Sequence, residues 1–174
     1  MEIGDAGVYV LANRKLNPMT SEQKKASREK QVFIEFINAS RLPIDLATVE
    51  NRSPPEPDIL CRHEKEGLTA FELVELCERQ LAWSIKKSIQ AKSVNAFSSW
   101  SSDPCKEIIL EKMSKSYQTQ YPIELLCYTD GRVINPDEAI IETIRDSIGM
   151  TEGGKFRRVW LLGDDAAKVW ERLF

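Results

Sequence analysis

Apolar residues recur along this chain at two spacings, and the switches between them mark out its elements. Val32, Phe33, Phe36 and Ile37 follow the three-and-four spacing of a helix face, with Lys24, Lys25, Arg28 and Lys30 on its earlier, polar part. Thr20 followed three residues later by Gln23 is a capping-box pattern, so a helix is predicted from there to about Asn38. Ile44 to Val49 reads as a strand. Ser53-Pro54-Pro55-Glu56-Pro57 then enforces extended backbone. Two apolar strands follow, Asp58 to about Arg62 and Leu68 to about Leu76, joined by the charged turn Glu64-Lys65-Glu66-Gly67. Gly67 suits the left-handed position that closes a short hairpin loop.

Beyond the hairpin, residues 77–90 have helical character and 94–104 read as a loop. Asp103-Pro104 opens a second predicted helix, which carries Ile108, Ile109, Met113 and Tyr117 and ends near Gln120. Pro122 to Tyr128 is a compact strand. Asn135-Pro136-Asp137-Glu138 starts a third helix that Gly149 ends, Arg157 to Leu162 is another strand, and Ala166 to Phe174 is expected to be a terminal helix. Val8 to Leu11 is a further short candidate strand. The order predicts a single α/β domain: a mixed sheet with an antiparallel hairpin, later strands brought in by helical crossovers, and helices on both faces.

Composition narrows the function classes. The 174 residues suffice for one domain with a sizeable core, and the apolar (42%) and charged (29%) fractions are those of a globular protein. A net charge of −3 provides no global positive field for nucleic acid, which leaves local basic patches or a bridging divalent cation as the routes to a phosphate partner. No apolar run approaches the roughly 20 residues a bilayer-spanning helix needs, and the N-terminus lacks the basic-then-apolar pattern of a secretory signal. A cytoplasmic protein without a membrane partner is therefore expected. The four cysteines are scattered, with no CxxC pair, and read as reduced thiols; Cys61 and His63 alone have zinc-ligand identity at close spacing. His63, the single histidine, is expected to be an exposed turn residue, and neither a nucleophile elbow nor a phosphate loop is present. The stretch from Gly149 to Gly154 reads as a connector. Trp160 is expected in the core. Trp100, in a Ser-rich loop near Lys86, Lys87 and Lys92, is a candidate contact for bases or a protein, weighed against core packing.

The chemistry concentrates in the hairpin, where each arm carries one acid, Asp58 and Glu72. Side chains alternate along a strand, so the turn decides whether the two acids share a face. A three-residue loop of Lys65-Glu66-Gly67 places Leu60 opposite Glu72 and Asp58 opposite Val74. Both acids then lie on one face, with Ile59, Cys61, Phe71 and Leu73 on the other. A four-residue loop would separate them. Two carboxylates suit Mg²⁺, which usually takes one or two and completes its shell with water and substrate phosphate.

Pro57-Asp58-Ile59-Leu60, Gly67 and Phe71-Glu72, followed by Ile108, Lys112, Tyr117 and Glu124-Leu125-Leu126, resemble the PD-(D/E)xK nuclease superfamily in its bacterial and phage style. The resemblance covers about residues 20–130 and implies a restriction-endonuclease-like core of helix, three strands, helix and strand, with 131–174 as an elaboration. It also implies Mg²⁺ held by Asp58 and Glu72, an assisting first-helix acid at Glu29, and hydrolysis of phosphodiesters in DNA or RNA. The sequence departs from the pattern at Val74, where the superfamily has its lysine. Lys112 or Lys115 on the following helix would then supply the cation. The alternative is an inactive member of the same fold that binds nucleic acid, a protein partner or a second copy of itself.

Overall fold

A computed structural model describes residues 19–76, 104–129, 137–149, 154–163 and 169–173. They form α1 (Ser21–Ser40), β1 (Ile44–Asn51), β2 (Ile59–His63), β3 (Gly67–Glu75), α2 (Pro104–Ser114), β4 (Ile123–Tyr128), α3 (Asp137–Gly149), β5 (Phe156–Leu162) and β6 (Val169–Leu173). The strands make one six-stranded sheet in chain order. β2 runs antiparallel to both β1 and β3, β3, β4 and β5 are parallel, and β6 returns antiparallel to β5. The predicted α/β class with a mixed sheet is observed. The candidate elements at 8–11, 77–90 and 94–103, with Trp83 and Trp100, lie outside the described residues.

Alternation along the strands divides the core between two layers. One face of the sheet, carrying Ile59, Cys61, Phe71, Leu73, Leu126 and Trp160, packs on Val32, Phe33, Phe36 and Ile37 of α1. Phe33 meets Phe71 edge-on at 4.9 Å, and Phe36 meets Trp160 at 5.2 Å. The other face, with Val74, Leu125, Cys127, Val159 and Leu161, packs on Ile108 and Ile109 of α2 and on Ile140, Ile144 and Ile148 of α3. Helices thus cover both faces. The Thr20 and Gln23 capping box forms in both directions and fixes where α1 begins. Lys30 Nζ donating to the Val49 carbonyl and Asn51 Nδ2 donating to the Ala26 carbonyl tie α1 to the edge strand.

Four expectations need correction. Val169–Leu173 form a strand, β6, where a helix was expected over 166–174, because the open edge of β5 pairs with their backbone groups. α2 stops at Ser114 rather than near Gln120. There the Ser114 hydroxyl donates to the Glu111 carbonyl, Gln118 N–H is held by the Pro55 carbonyl, and the Tyr117 ring packs on Phe156. His63 is buried, not exposed. Its Nδ1 accepts the backbone N–H groups of both Lys65 and Glu66 at 3.2 Å, so the turn closes directly behind it. That moves the three-residue turn to Glu64–Glu66 and pairs His63 with Gly67 and Leu60 with Ala70, in place of Leu60 with Glu72. Gly67 has φ 83°, the left-handed value foreseen for it.

Candidate metal and phosphate site at the open edge of β3

The corrected register brings the hairpin acids closer than the sequence reading placed them. Continuing the ladder one residue past Ile59↔Phe71 sets Asp58 directly across from Glu72, not from Val74. Asp58 is also where β2 stops, so among the described residues no strand pairs with the last residues of β3 on that side. The Asp58 carboxylate turns into that edge, and its Oδ2 accepts the Leu73 N–H at 2.9 Å. Backbone N–H and C=O of one residue in an extended strand point the same way, which directs the Leu73 carbonyl to the same edge.

Each helical layer contributes to the site from its own side. From α1, Lys25 Nζ lies 2.9 Å from Glu29 Oε1 and 3.6 Å from Asp58 Oδ1. From the opposite layer, Lys112 Nζ lies 2.5 Å and Lys115 Nζ 3.4 Å from Glu72 Oε1. Asp58 and Glu29 are 8% exposed and Glu72 is wholly buried, whereas the Lys25 side chain is 66% exposed. Among the described residues neither Glu72 Oε2 nor the buried Tyr117 hydroxyl makes a close hydrogen bond, and the two groups neighbour one another. Burial and then the charge of Glu72 push the Tyr117 phenol well above its usual value. Burial, followed by the charge of Asp58, raises the Glu29 carboxyl. Glu29 in one layer and Tyr117 in the other both feel Asp58 and Glu72, so the acids act on a common point at the end of β3.

A cleft of about 600 Å³ opens there, lined by Lys25, Arg28 and Glu29 of α1, Val74 and Glu75 of β3, and Lys112 of α2. A second, of about 500 Å³, adjoins Asp58 and shares Lys25 and Glu29 as its wall. Among the described residues no group of three or more His, Cys, Asp or Glu side chains converges as a metal cage. The available donors are carboxylate oxygens, with Glu72 Oε2 making no close hydrogen bond and Asp58 Oδ1 held by one long contact. That set suits a hard cation which keeps several of its own waters, such as Mg²⁺, rather than a closed zinc site. The Cys61 and His63 pair does not make a zinc site: the thiol donates to the Thr69 carbonyl and the imidazole is committed to the turn.

All five candidate residues, Glu29, Asp58, Glu72, Lys112 and Lys115, gather at this edge, while Val74 is buried against α2 and α3. Two participants were missed. Lys25 was read as part of a solvated face, although its i,i+4 pairing with Glu29 was visible in the sequence. Tyr117 was read as a helix core position.

A second buried acid was also missed. Glu124, 1% exposed, accepts from Arg157, from Arg158 at 2.9 Å and from Trp160 Nε1 at 2.6 Å, while Glu66 meets both arginines from the hairpin turn. Consecutive strand residues should point to opposite faces. A bulge between Phe156 and Arg158 breaks that alternation and lets both arginines reach the same acids. Trp160 is core, as expected, but its indole N–H serves this network.

The fold therefore defines an α/β protein with an acid-and-lysine cleft beside the end of β3, an interior strand of its mixed sheet. Comparison with protein-family models, with characterised proteins and with solved structures returned no match for this chain. No helix among the described residues is long and apolar enough to cross a membrane.

Proposed function

We propose that the chain is a divalent-metal-dependent nuclease of restriction-endonuclease-like architecture, with Asp58 and Glu72 as the metal-holding acids. The observation that carries this reading is the position of Lys112: its ammonium lies 2.5 Å from Oε1 of the wholly buried Glu72. Lys112 thus supplies, from α2, the cation that Val74 cannot. The order α1, three antiparallel strands, α2 and a parallel β4 supports the same reading.

Asp58 and Glu72 would hold Mg²⁺, with the Leu73 carbonyl as an available third oxygen. When bound, the ion lowers the pKa of a coordinated water and offsets charge building on a phosphodiester. The chain's own residues do the rest. Lys112 and Lys115 hold Glu72 oriented at the cleft and present ammonium groups where phosphate oxygens gain charge. Leu73 N–H fixes the Asp58 carboxylate, and Glu29 stands behind it as a further acid. Arg28 on the cleft wall adds positive charge for the nucleic-acid backbone, DNA or RNA.

The test is cleavage of plasmid and single-stranded substrates with Mg²⁺ or Mn²⁺, comparing the native chain with Asp58→Ala and Lys112→Met. Both substitutions are expected to abolish cleavage, and activity that survives Asp58→Ala removes the site assignment. One observation favours a second reading, a catalytically inactive binding module of this fold: three acids already face three lysines, so the site is balanced without an added ion. Inactivity of the native chain with both metals, together with binding of nucleic acid or a protein, would establish it.

A further inference from the structure

Asp58 and Glu29 are two nearly buried carboxylates that share one counter-charge, the Lys25 ammonium, at 3.6 and 2.9 Å. Buried like charges this close to one another need such compensation. Lys25 is poorly suited to be permanent. Its side chain is 66% exposed, it sits on a flexible four-carbon stem, and its contact with Asp58 is longer than a hydrogen bond. Burial of part of that stem pulls its pKa down, but Glu29 and Asp58 together outweigh this and raise it, so the group is a full positive charge on the two acids. It also stands in the wall common to the clefts of about 600 and 500 Å³, separating them above Asp58. On the other side of that edge, the wholly buried Glu72 is held by Lys112 and Lys115 through Oε1, and its Oε2 makes no close hydrogen bond among the described residues, with the Tyr117 phenol as its neighbour.

From these observations we infer that Lys25 is an exchangeable internal counter-ion, holding the cation position over Asp58 and Glu29 until a divalent ion displaces it. The inference rests on the metal reading of Asp58 and Glu72 and adds a residue to it. A divalent ion beside Asp58 repels the ammonium, and the electrostatic need that held Lys25 disappears once the ion supplies the charge. Lys25 then swings out on its exposed stem, the wall between the two clefts opens, and its ammonium becomes available to a phosphate in the joined groove. Lys25 is a positioning residue in this scheme: it sets how tightly the site takes metal and the width of the groove afterwards.

The experiment is Mn²⁺ binding, read by calorimetry and by the electron paramagnetic resonance of free Mn²⁺, on the native chain, Lys25→Gln, Lys25→Arg and Asp58→Asn. Removing one unit of opposing charge a few ångströms from the ion, in a partly solvated cleft, is expected to tighten Mn²⁺ binding in Lys25→Gln by about tenfold. Lys25→Arg keeps the charge and should bind as the native chain does, and Asp58→Asn should lose binding. Equal or weaker Mn²⁺ affinity in Lys25→Gln, with native binding intact, overturns the role of Lys25 and leaves the metal site standing. No Mn²⁺ binding by either the native chain or Lys25→Gln overturns the metal reading and this inference with it. Lys25 lies at the surface, so loss of fold is not expected; matching circular dichroism of all four proteins establishes that affinities are compared on the same structure.

Discussion

Two of the buried acid clusters among the described residues are treated differently. Glu124, with Glu66 above it, is closed: two guanidinium groups and an indole N–H satisfy it, and the bulge in β5 is spent on bringing the second arginine round. Glu72 and Asp58 are held open. Their partners are lysines that are themselves part-exposed, and clefts lie beside them, one lined by Asp58 itself and the other by Lys112, the partner of Glu72. Arginine's planar fork suits a permanent buried pair, whereas an ammonium on a flexible stem is easily exchanged. The first arrangement is what holding a sheet together requires. The second leaves binding capacity unused, as a functional site does.

The comparison is tested most severely by removing each acid. Glu124→Ala leaves the buried Trp160 N–H without its acceptor and both arginines to Glu66 alone, and should cost about 3 kcal/mol. Glu72→Gln keeps the shape, and Lys112 and Lys115, with side chains 23% and 44% exposed, can turn to water; it should change stability by less than about 1 kcal/mol. Urea unfolding at neutral pH measures both. Equal costs would mean that the Glu72 cluster is structural too, and the distinction would be gone.

How much of this was legible in the sequence follows the range of the forces involved. Local signals were readable: the capping box at Thr20, the prolines before Asp58, and the left-handed Gly67 each arise from a few adjacent residues. So was the acid pair, because alternation is a property of the strand itself. The register was misplaced by one residue on each arm because a side chain, His63, captures two turn amides, and no propensity records that. The terminal strand was hidden because its backbone is satisfied by pairing with the edge of β5, which the residues of the segment itself do not record. Glu124 was invisible for a related reason: its partners depend on a bulge, and Arg157-Arg158 in an apolar run predicts one arginine per face. Lys112 and Lys115 could be named as candidates only because the resemblance sent the search to that helix.

The acid response separates the clusters on a smaller scale. Hydrogen bonding to Arg158, then the charge of the two arginines against a modest burial cost, holds the Glu66 carboxyl at about 2, below its ordinary 4.5. A depressed acid contributes stability that is present above the unfolded value and lost as pH falls from about 4.5 through about 2. Glu29 has the opposite sign. Its raised pKa favours folding below about 4.5, an advantage lost as pH rises through its folded value. Glu66 is largely solvated, which limits its contribution to about 1 kcal/mol. Unfolding midpoints of Glu66→Gln should therefore fall below the native protein's at pH 7 and converge with them near pH 2, whereas Glu29→Gln should lose no stability at pH 7. A Glu66→Gln deficit that persisted undiminished to pH 2 would show that the arginine cluster does not depend on that charge.

The smallest expected difference lies within the open cluster, between its two lysines. Lys112 is 2.5 Å from Glu72 Oε1 and lines the cleft; Lys115 is 3.4 Å away, more exposed, and also lies over the Tyr117 ring at 5.1 Å. A half-exposed lysine at the longer distance, with a cation–π contact shared with solvent, contributes only a few tenths of a kcal/mol. Lys115→Ala should accordingly shift the unfolding midpoint by no more than about 0.5 kcal/mol. If phosphodiester cleavage is the activity, Lys115→Ala should reduce it several-fold, while Lys112→Met removes it. Unfolding and cleavage measured on the same two variants decide how the work is divided. A larger loss of cleavage in Lys115→Ala than in Lys112→Met would move the cation that replaces the missing strand lysine three residues along the chain, past the end of α2, and would make the short contact between Lys112 and Glu72 a structural pair.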